Sequence, residues 1–385
     1  MPKAHLQEEG DDFMRIVITG GGTGGHLYPG ISIASGLRER QIAVLFVGNI
    51  NGIEAKVVPQ EGFEFKGIVV CGWNRTLLGI FRVAWKLIGA FFASCKYLLK
   101  FKPAVILGTG GYVCVPVIIA GRALGIRCIL HEQNAIPGLA VRMLSGIVNK
   151  IAVSMPESSK YLPRKKVVVT GNPVRKGIGQ VEKQQACQKF GLSTDKTTML
   201  VFGGSKGAKS INMAVMEALN KGSLSLEDLQ IIWITGSTDY SMVCQNIHGK
   251  GYRIFEYLND MDYAYGAADL VVCRSGATTV AEVIACRVPT IMVPYPYATD
   301  NHQEKNARVL EQCGAARVVL DAELPQGRLA EVMVELLYDV KKLDRMRQGY
   351  EGFDMDPYGA VDRVMEVIGG DGEEGREGRK VGKEE

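Results

Sequence analysis

Three times along this 385-residue chain an apolar run breaks into glycines and a helical pattern follows. The stretches are Gly20-Gly21-Gly22-Thr23-Gly24-Gly25-His26, Gly108-Thr109-Gly110-Gly111-Tyr112 and Gly203-Gly204-Ser205-Lys206-Gly207-Ala208. A glycine turn of this kind sets backbone N–H groups at a helix N-terminus. The helix dipole adds roughly half a positive charge there, and the missing side chains let an anion approach. The chemistry on offer is binding of phosphate or diphosphate. Gly20, Gly22 and Gly25 also satisfy GxGxxG, which alone would suit a dinucleotide oxidoreductase. That class holds a ribose with an acid about 20 residues on, after the second strand. Here the second apolar run closes Phe46-Val47-Gly48-Asn49, and no acid follows it before Glu54. Three such turns also exceed what one dinucleotide needs.

The densest polar cluster lies between residues 257 and 306. It comprises Tyr257-Leu258-Asn259-Asp260-Met261, then the run from Cys273 to Glu282, then Asp300-Asn301-His302-Gln303-Glu304-Lys305-Asn306. Arg274-Ser275-Gly276-Ala277 follows an apolar run and opens a helix, a fourth strand-to-helix turn with N–H groups to offer. Glu282 falls about two turns into that helix. A carboxylate accepts hydrogen bonds only, which suits a vicinal diol such as a ribose; a solvated or ion-paired carboxylate is the plainer alternative. Asn301, His302 and Gln303 follow Pro294-Tyr295-Pro296-Tyr297. Amide and imidazole groups at a loop–helix junction give a sugar's hydroxyls fixed donors and acceptors, while Asp300 suits a helix cap.

The elements that must position these residues are legible as an alternation. Apolar runs at 15–19, 43–47, 104–107, 127–130, 150–153, 166–170, 198–202, 230–234, 269–273 and 290–293 are Val- and Ile-rich and bounded by Gly, Pro or Asn. That is how fully buried parallel strands read. Segments 207–221, 277–287 and 302–313 carry helical spacing. The pattern predicts an α/β fold of two Rossmann-like, doubly wound domains. We expect an N-terminal domain over 14–172, a second over 173–350, and a helix at 351–368 returning to the first, with the linker near Gly171-Asn172-Pro173. Residues 1–13 and 369–385 are expected to be a disordered leader and tail.

Composition agrees: 46 glycines without a collagen period match many tight turns. A net charge of +4 is too mild to argue for nucleic acid. Nine cysteines without a CxxC spacing read as reduced core residues, not a zinc or disulfide framework. The run 15–19 is too short for a signal peptide. Residues 73–102 interleave Trp73, Leu77, Phe81, Trp85, Phe91 and Phe92 with Arg75, Arg82, Lys86, Lys96, Lys100 and Lys102, and no acid lies between Glu64 and Glu132. The charges interrupt the stretch too often for a spanning helix, so it reads as a basic amphipathic segment for an anionic membrane surface; a core helix with a solvated basic face is the alternative.

Taken together, GGGTGGH (20–26), GTGGY (108–112), HEQNAIPG (131–138), GNPVR (171–175), GGSKGA (203–208), CRSGATT with Glu282, and DNHQ with Asn306-Ala307 make the chain resemble the MurG family. These are UDP-N-acetylglucosamine:lipid I transferases of peptidoglycan synthesis. The resemblance implies a GT-B fold, with two Rossmann-like domains across a cleft. It implies inverting transfer of N-acetylglucosamine to the C4 hydroxyl of the N-acetylmuramyl unit of undecaprenyl-linked lipid I, giving lipid II, by a peripheral enzyme at the cytoplasmic face of a bacterial membrane. It assigns Thr23, Gly24, Asn134, Arg175, Ser205, Leu258, Met261, Ala277, Thr278, Thr279, Glu282 and Gln303 to UDP-N-acetylglucosamine. Glu282 would hold the ribose, Arg175, Leu258 and Met261 would border the uracil, and His302 would lie near the sugar. Gly25, His26, Gly110, Gly111 and Tyr112 go to the acceptor. No cofactor is implied, and no DxD-type carboxylate pair presents itself for a metal. His26 is the first candidate for the general base, because a histidine titrates near working pH; plain acceptor binding is its other reading, and Glu132 is the second candidate. The chain departs from the family at Lys206, usually Gln, and at Leu139-Ala140-Val141, usually Leu-Thr-Asn, so an acceptor or donor contact through that Asn is lost at Val141. A non-catalytic membrane adaptor that senses nucleotide-sugar is the remaining rival.

Overall fold

The structure is a computed structural model and describes residues 14–70, 77–204, 207–224, 229–353 and 358–370, with the backbone alone described for 77–84 and 352. The leader at 1–13 and nearly all of the tail from 369 lie outside the described residues, as do Trp73, Arg75, Ser205 and Lys206.

Chain order in the first half is β1 (Arg15–Thr19), α1 (Gly24–Glu39), β2 (Ala43–Asn49), α2 (Glu54–Gln60), β3 (Glu64–Ile68), α3 (Leu77–Phe101), β4 (Val105–Gly108), α4 (Cys114–Ala123), β5 (Arg127–Glu132), α5 (Leu139–Leu144), β6 (Lys150–Val153) and β7 (Val167–Val169). The second half continues with α6 (Lys183–Phe190), β8 (Thr197–Phe202), α7 (Lys209–Asn220), β9 (Leu229–Ile234), α8 (Tyr240–Asn246), β10 (Tyr252–Phe255), α9 (Met261–Ala267), β11 (Leu270–Cys273), α10 (Ala277–Cys286), β12 (Thr290–Met292), α11 (His302–Gln312), β13 (Ala316–Val318), α12 (Arg328–Leu337), α13 (Val340–Gly349) and α14 (Ala360–Gly369).

Two sheets result, a seven-stranded one ordered β3-β2-β1-β4-β5-β6-β7 and a six-stranded one ordered β10-β9-β8-β11-β12-β13. In each, the order reverses beside its first strand, between β1 and β4 and between β8 and β11, both of them parallel pairs. Doubly wound sheets bind ligands at the carboxyl ends of strands at such a reversal. The turns after β1 and β4, and after β8 and β11, sit at those ends.

By packing, the chain forms two compact units. Of the described residues, one holds those from 14 to 131, with 139–151 and 364–370; the other holds those within 132–138 and 152–363. In the second unit successive strand residues alternate between two cores, because strand side chains point to opposite faces. Leu200, Phe202, Ile232, Val271 and Cys273 enter one core. Met199, Val201, Ile231, Trp233 and Val272 enter the other. In the first unit Ile16–Ile18, Leu45–Val47, Val105–Leu107 and Cys128–Leu130 are buried. Within that unit the Arg127 Nη2 donates to the Val367 carbonyl of α14 at 3.0 Å.

Candidate active site

In the first unit two glycine turns lie against each other. Thr109 N donates to Thr19 O at 2.8 Å, and Thr109 Oγ1 donates to His26 O at 2.8 Å. Thr23, in extended conformation, precedes α1 without a side-chain cap bond. The N–H groups of Gly24 and Gly25 therefore open the helix with no carbonyl of their own helix to meet them. Gly111 holds φ +77°, and a Cβ there would lie 2.5 Å from the Gly21 carbonyl oxygen; one at Gly110 would lie 2.7 Å from His26 Nδ1. Only glycine permits this approach. The structure thus brings Thr23, Gly24, Gly25, His26, Gly110, Gly111 and Tyr112 together. His26 is half-buried and the Tyr112 ring is exposed.

In the second unit, α10 starts at Gly276 in extended backbone and has no side-chain cap. Val280 N is the first to reach back, to Gly276 O at 3.0 Å, so the N–H groups of Ala277, Thr278 and Thr279 face outward from the helix end. Thr278 Oγ1 is buried and has no hydrogen-bond partner. Ser275, fully buried, donates to the Gln303 carbonyl at 2.8 Å, and Tyr295 N donates to Gln303 Oε1 at 3.0 Å. The Gln303 side-chain oxygen is thereby fixed, which aims its amide nitrogen. His302 Nδ1 sits 2.8 Å from Thr299 O.

Glu282 lies on α10, is only 3% exposed, and is already occupied. Arg175 Nε and Nη2 donate to its Oε1 at 3.2 and 3.1 Å, and Tyr265 Oη donates to Oε2 at 3.0 Å. Burial works against the Arg175 charge, but the field and hydrogen bonds of Glu282 outweigh it and hold the guanidinium above its usual range. Burial, with Glu282 behind it, pushes the Tyr265 phenol well above its ordinary value, so it remains a donor. Met261 is buried at the start of α9, and Leu258 packs on the adjoining core. Ser205 lies outside the described residues.

Other partnerships have no local sequence pattern to announce them. Asn306, fully buried, accepts from Ala135 N at 2.9 Å and donates to Asn134 Oδ1 at 3.2 Å and Ser275 O at 3.3 Å. Glu132 accepts from Asn134 N and Nδ2 on Oε1 and from Gly138 N on Oε2, at 2.9 to 3.0 Å. Its carboxylate therefore clamps the 132–138 loop. Arg274 donates through Nη1 to Asp321 Oδ1 at 2.6 Å and to the carbonyls of Val293 and Pro294, and through Nη2 to Ser210 Oγ at 2.9 Å. The only hint of Asn306 in the sequence was its place in the DNHQ-containing stretch.

Comparison with known proteins follows this division. Residues 16–153 match the glycosyltransferase family 28 N-terminal domain and residues 198–354 the C-terminal domain. A Halothermothrix orenii protein named UDP-N-acetylglucosamine--N-acetylmuramyl-(pentapeptide) pyrophosphoryl-undecaprenol N-acetylglucosamine transferase is 43% identical over 347 residues, covering 87% of this chain and 93% of its own. A Desulfitobacterium hafniense protein of the same name is 43% identical over 350 residues, 88% of this chain and 95% of its own. The crystal structure of Acinetobacter baumannii MurG superposes with a TM-score of 0.74 at 25% identity, over 92% of this chain and 99% of that one. The chain belongs to the MurG family. Its two parallel-sheet halves are those of the GT-B class, and the glycine turns and the 257–306 cluster both fall inside the matched family 28 domains. Among the described residues of this MurG-family chain, no three His, Cys, Asp or Glu side chains gather as a metal would require.

Proposed function

We infer that the chain transfers N-acetylglucosamine from UDP-N-acetylglucosamine to the N-acetylmuramyl unit of lipid I, forming lipid II. The observation that carries this reading is the 43% identity, along 87% of the chain, to relatives bearing that activity in their name. The step is a single displacement with inversion. The acceptor C4 oxygen bonds to C1 of the donor sugar, the bond from C1 to the diphosphate oxygen breaks, and UDP leaves with the electron pair. The hydroxyl proton passes to a base.

In this reading the open N–H groups at Ala277–Thr279, with Ser205, meet the charge that grows on the leaving diphosphate, as aimed donors do best. Glu282 takes the ribose diol, which requires Arg175 to release Oε1 and turn toward the uracil beside Leu258 and Met261. Gln303 and Asn134 reach the sugar, with His302 near its hydroxyls. The first unit's glycine turns, with Gly25, Gly110, Gly111 and Tyr112, hold the acceptor diphosphate, and Thr23 and Gly24 approach the donor. His26 is favoured over Glu132 as base because both Glu132 oxygens already accept backbone N–H groups.

Membrane docking belongs to the same proposal. On the described part of α3, Trp85 is 78% and Phe92 65% exposed, with Ile88 and Leu99 also outward and Lys86, Lys96 and Lys100 interleaved. α3 packs on α4 and α4 on α5, where Ile119, Leu139, Met143 and Ile147 are exposed. Exposed apolar side chains interleaved with lysines suit an anionic lipid surface. No helix among the described residues is long and apolar enough to cross a membrane.

Turnover of radiolabelled UDP-N-acetylglucosamine onto a lipid I analogue tests the activity. Nucleotide binding without turnover would return the adaptor reading, and tight NADH binding with none for UDP would return the oxidoreductase. Loss of less than about tenfold in kcat for His26→Ala would remove it as the base, since a general base supplies 10²–10⁴. Sedimentation with phosphatidylglycerol vesicles, with and without Trp85→Glu, tests the docking face.

A further inference from the structure

Glu54 takes no part in the proposed reaction, and in the sequence it stands only as an acid too late to hold a ribose. It opens α2 and is 1% exposed. A buried carboxylate must have partners, because an unpaired one away from water is costly. Its two partners are backbone groups from different turns: Gly22 N donates to Oε2 at 3.1 Å, and Asn49 N donates to Oε1 at 3.0 Å. Gly22 belongs to the first glycine turn, and Asn49 ends β2, the strand beside β1.

The packing around the carboxylate is equally particular. A Cβ on Gly21 would lie 2.3 Å from the Glu54 carboxyl carbon, and one on Gly52 would lie at the same distance; one on Gly48 would lie 2.7 Å from its Cγ. Three glycines on three sides leave room for this side chain and little else.

We infer that Glu54 is a positioning residue for the acceptor-binding turn. By taking the Gly22 N–H it fixes the peptide that enters the turn, with Gly22 at φ +80°. The N–H groups that open α1, those of Gly24 and Gly25, are then left aimed at the ligand. A carboxylate behind an anion site looks adverse, but it lies at the N-terminal side of α1, where the helix dipole favours negative charge. It also holds N–H groups that the ligand does not use. This inference rests on the reading that the glycine turns receive the acceptor diphosphate.

The test is steady-state kinetics with a short-chain prenyl diphosphoryl N-acetylmuramyl pentapeptide as acceptor. Glu54→Gln keeps the shape and one accepting oxygen but loses the charge. It should raise the acceptor KM about tenfold, the scale of weakening hydrogen bonds to a charged acceptor, with kcat and the donor KM moving less than about twofold. Gly52→Ala is the independent probe. Its φ lies outside the left-handed region, so the added methyl acts only by pressing on the carboxylate. It should reproduce the same split, and in the double variant Gly52→Ala with Glu54→Ala it should add nothing to the effect of Glu54→Ala alone. Should Glu54 variants fail to fold, Gly52→Ala carries the test. Equal rises in donor and acceptor KM, or an unmoved acceptor KM, overturn the assignment. Gly111→Ala separates the two levels: if it raises the acceptor KM while Glu54→Gln does not, only the role of Glu54 falls. If neither variant does, the acceptor reading of the turns falls with it.

Discussion

The two units build their candidate sites in different ways. The first unit's turns offer backbone: N–H groups of Gly24 and Gly25, and turns packed so closely that a Cβ on Gly111 would lie 2.5 Å from the Gly21 carbonyl oxygen. The second unit adds, to the open N–H groups of Ala277–Thr279, side chains whose polar atoms are already paired: Glu282 with Arg175 and Tyr265, Gln303 with the Tyr295 N–H, Asn306 with Asn134 and the Ser275 carbonyl. A backbone site is rigid and reads little beyond charge and shape. A side-chain site reads identity, but its ligand must replace contacts that exist without it. The expected consequence is that single substitutions in the first unit act by sterics and those in the second by lost pairing.

The most damaging change on the backbone side should be Gly111→Ala. A left-handed φ costs an alanine about 1–2 kcal/mol, and a methyl 2.5 Å from a carbonyl oxygen forces the paired turns apart. We expect kcat/KM for the acceptor to fall roughly hundredfold, about 2.7 kcal/mol, with UDP affinity unchanged in a fluorescence titration. If acceptor turnover survives, the turns are scaffolding and the contrast fails on its first half.

On the side-chain side Glu282→Gln is next. It removes the charge that Arg175 pairs with and one strong acceptor for a diol. UDP should bind about ten- to thirtyfold more weakly by calorimetry, the lower part of the range for hydrogen bonds to a charged group. The acceptor KM should stay in place. Because Tyr265 is held neutral by burial and by Glu282, donor affinity should show no titration from this phenol up to about pH 10. Unchanged UDP affinity in Glu282→Gln would mean that Arg175 and Glu282 form a structural pair, not a nucleotide site.

The same contrast decides what could be read from the sequence. Glycine spacing announces a backbone site directly, so the turns at 20–26 and 108–112 were visible at once. The ten apolar runs are all strands, nine of them because a strand covered on both faces needs apolar residues throughout, and the tenth, β7, an edge whose three valines are partly exposed. The strands without such a run are β3, β10 and β13, and each lies at an edge of its sheet. Glu64-Phe65-Lys66 in β3 and Tyr252-Arg253 in β10 are partly exposed, so they carry charges a central strand would not. Side-chain partnerships left no trace for a different reason. Glu54 meets Gly22 across 32 residues, Arg274 meets Asp321 across 47, and Asn306 meets Asn134 across 172. Nothing in local pattern links groups that only the completed fold brings within reach.

Asp321 gives the smallest predicted effect and the sharpest test of the second half of the contrast. It contacts none of the groups assigned to the donor. Its carboxylate instead holds Arg274 at 2.6 Å and accepts from Ser210 Oγ at 2.8 Å. Arg274 in turn supports the carbonyls of Val293 and Pro294, just before Tyr295, whose N–H fixes Gln303, and it immediately precedes Ser275 and the open end of α10. Asp321→Asn removes the charge from a pair that is partly exposed, so the loss is well short of that for a buried pair broken outright. We expect the donor KM to rise about threefold, with the acceptor KM unmoved and Tm down by only a few degrees. A donor site built from mutually satisfied side chains should register this distant change, because Gln303 and the turn at Ser275 depend on Arg274 for their placement. If Asp321→Asn lowers Tm while leaving the donor KM alone, the side-chain site is as rigid as the backbone one, and the difference between the two units lies only in which atoms they present.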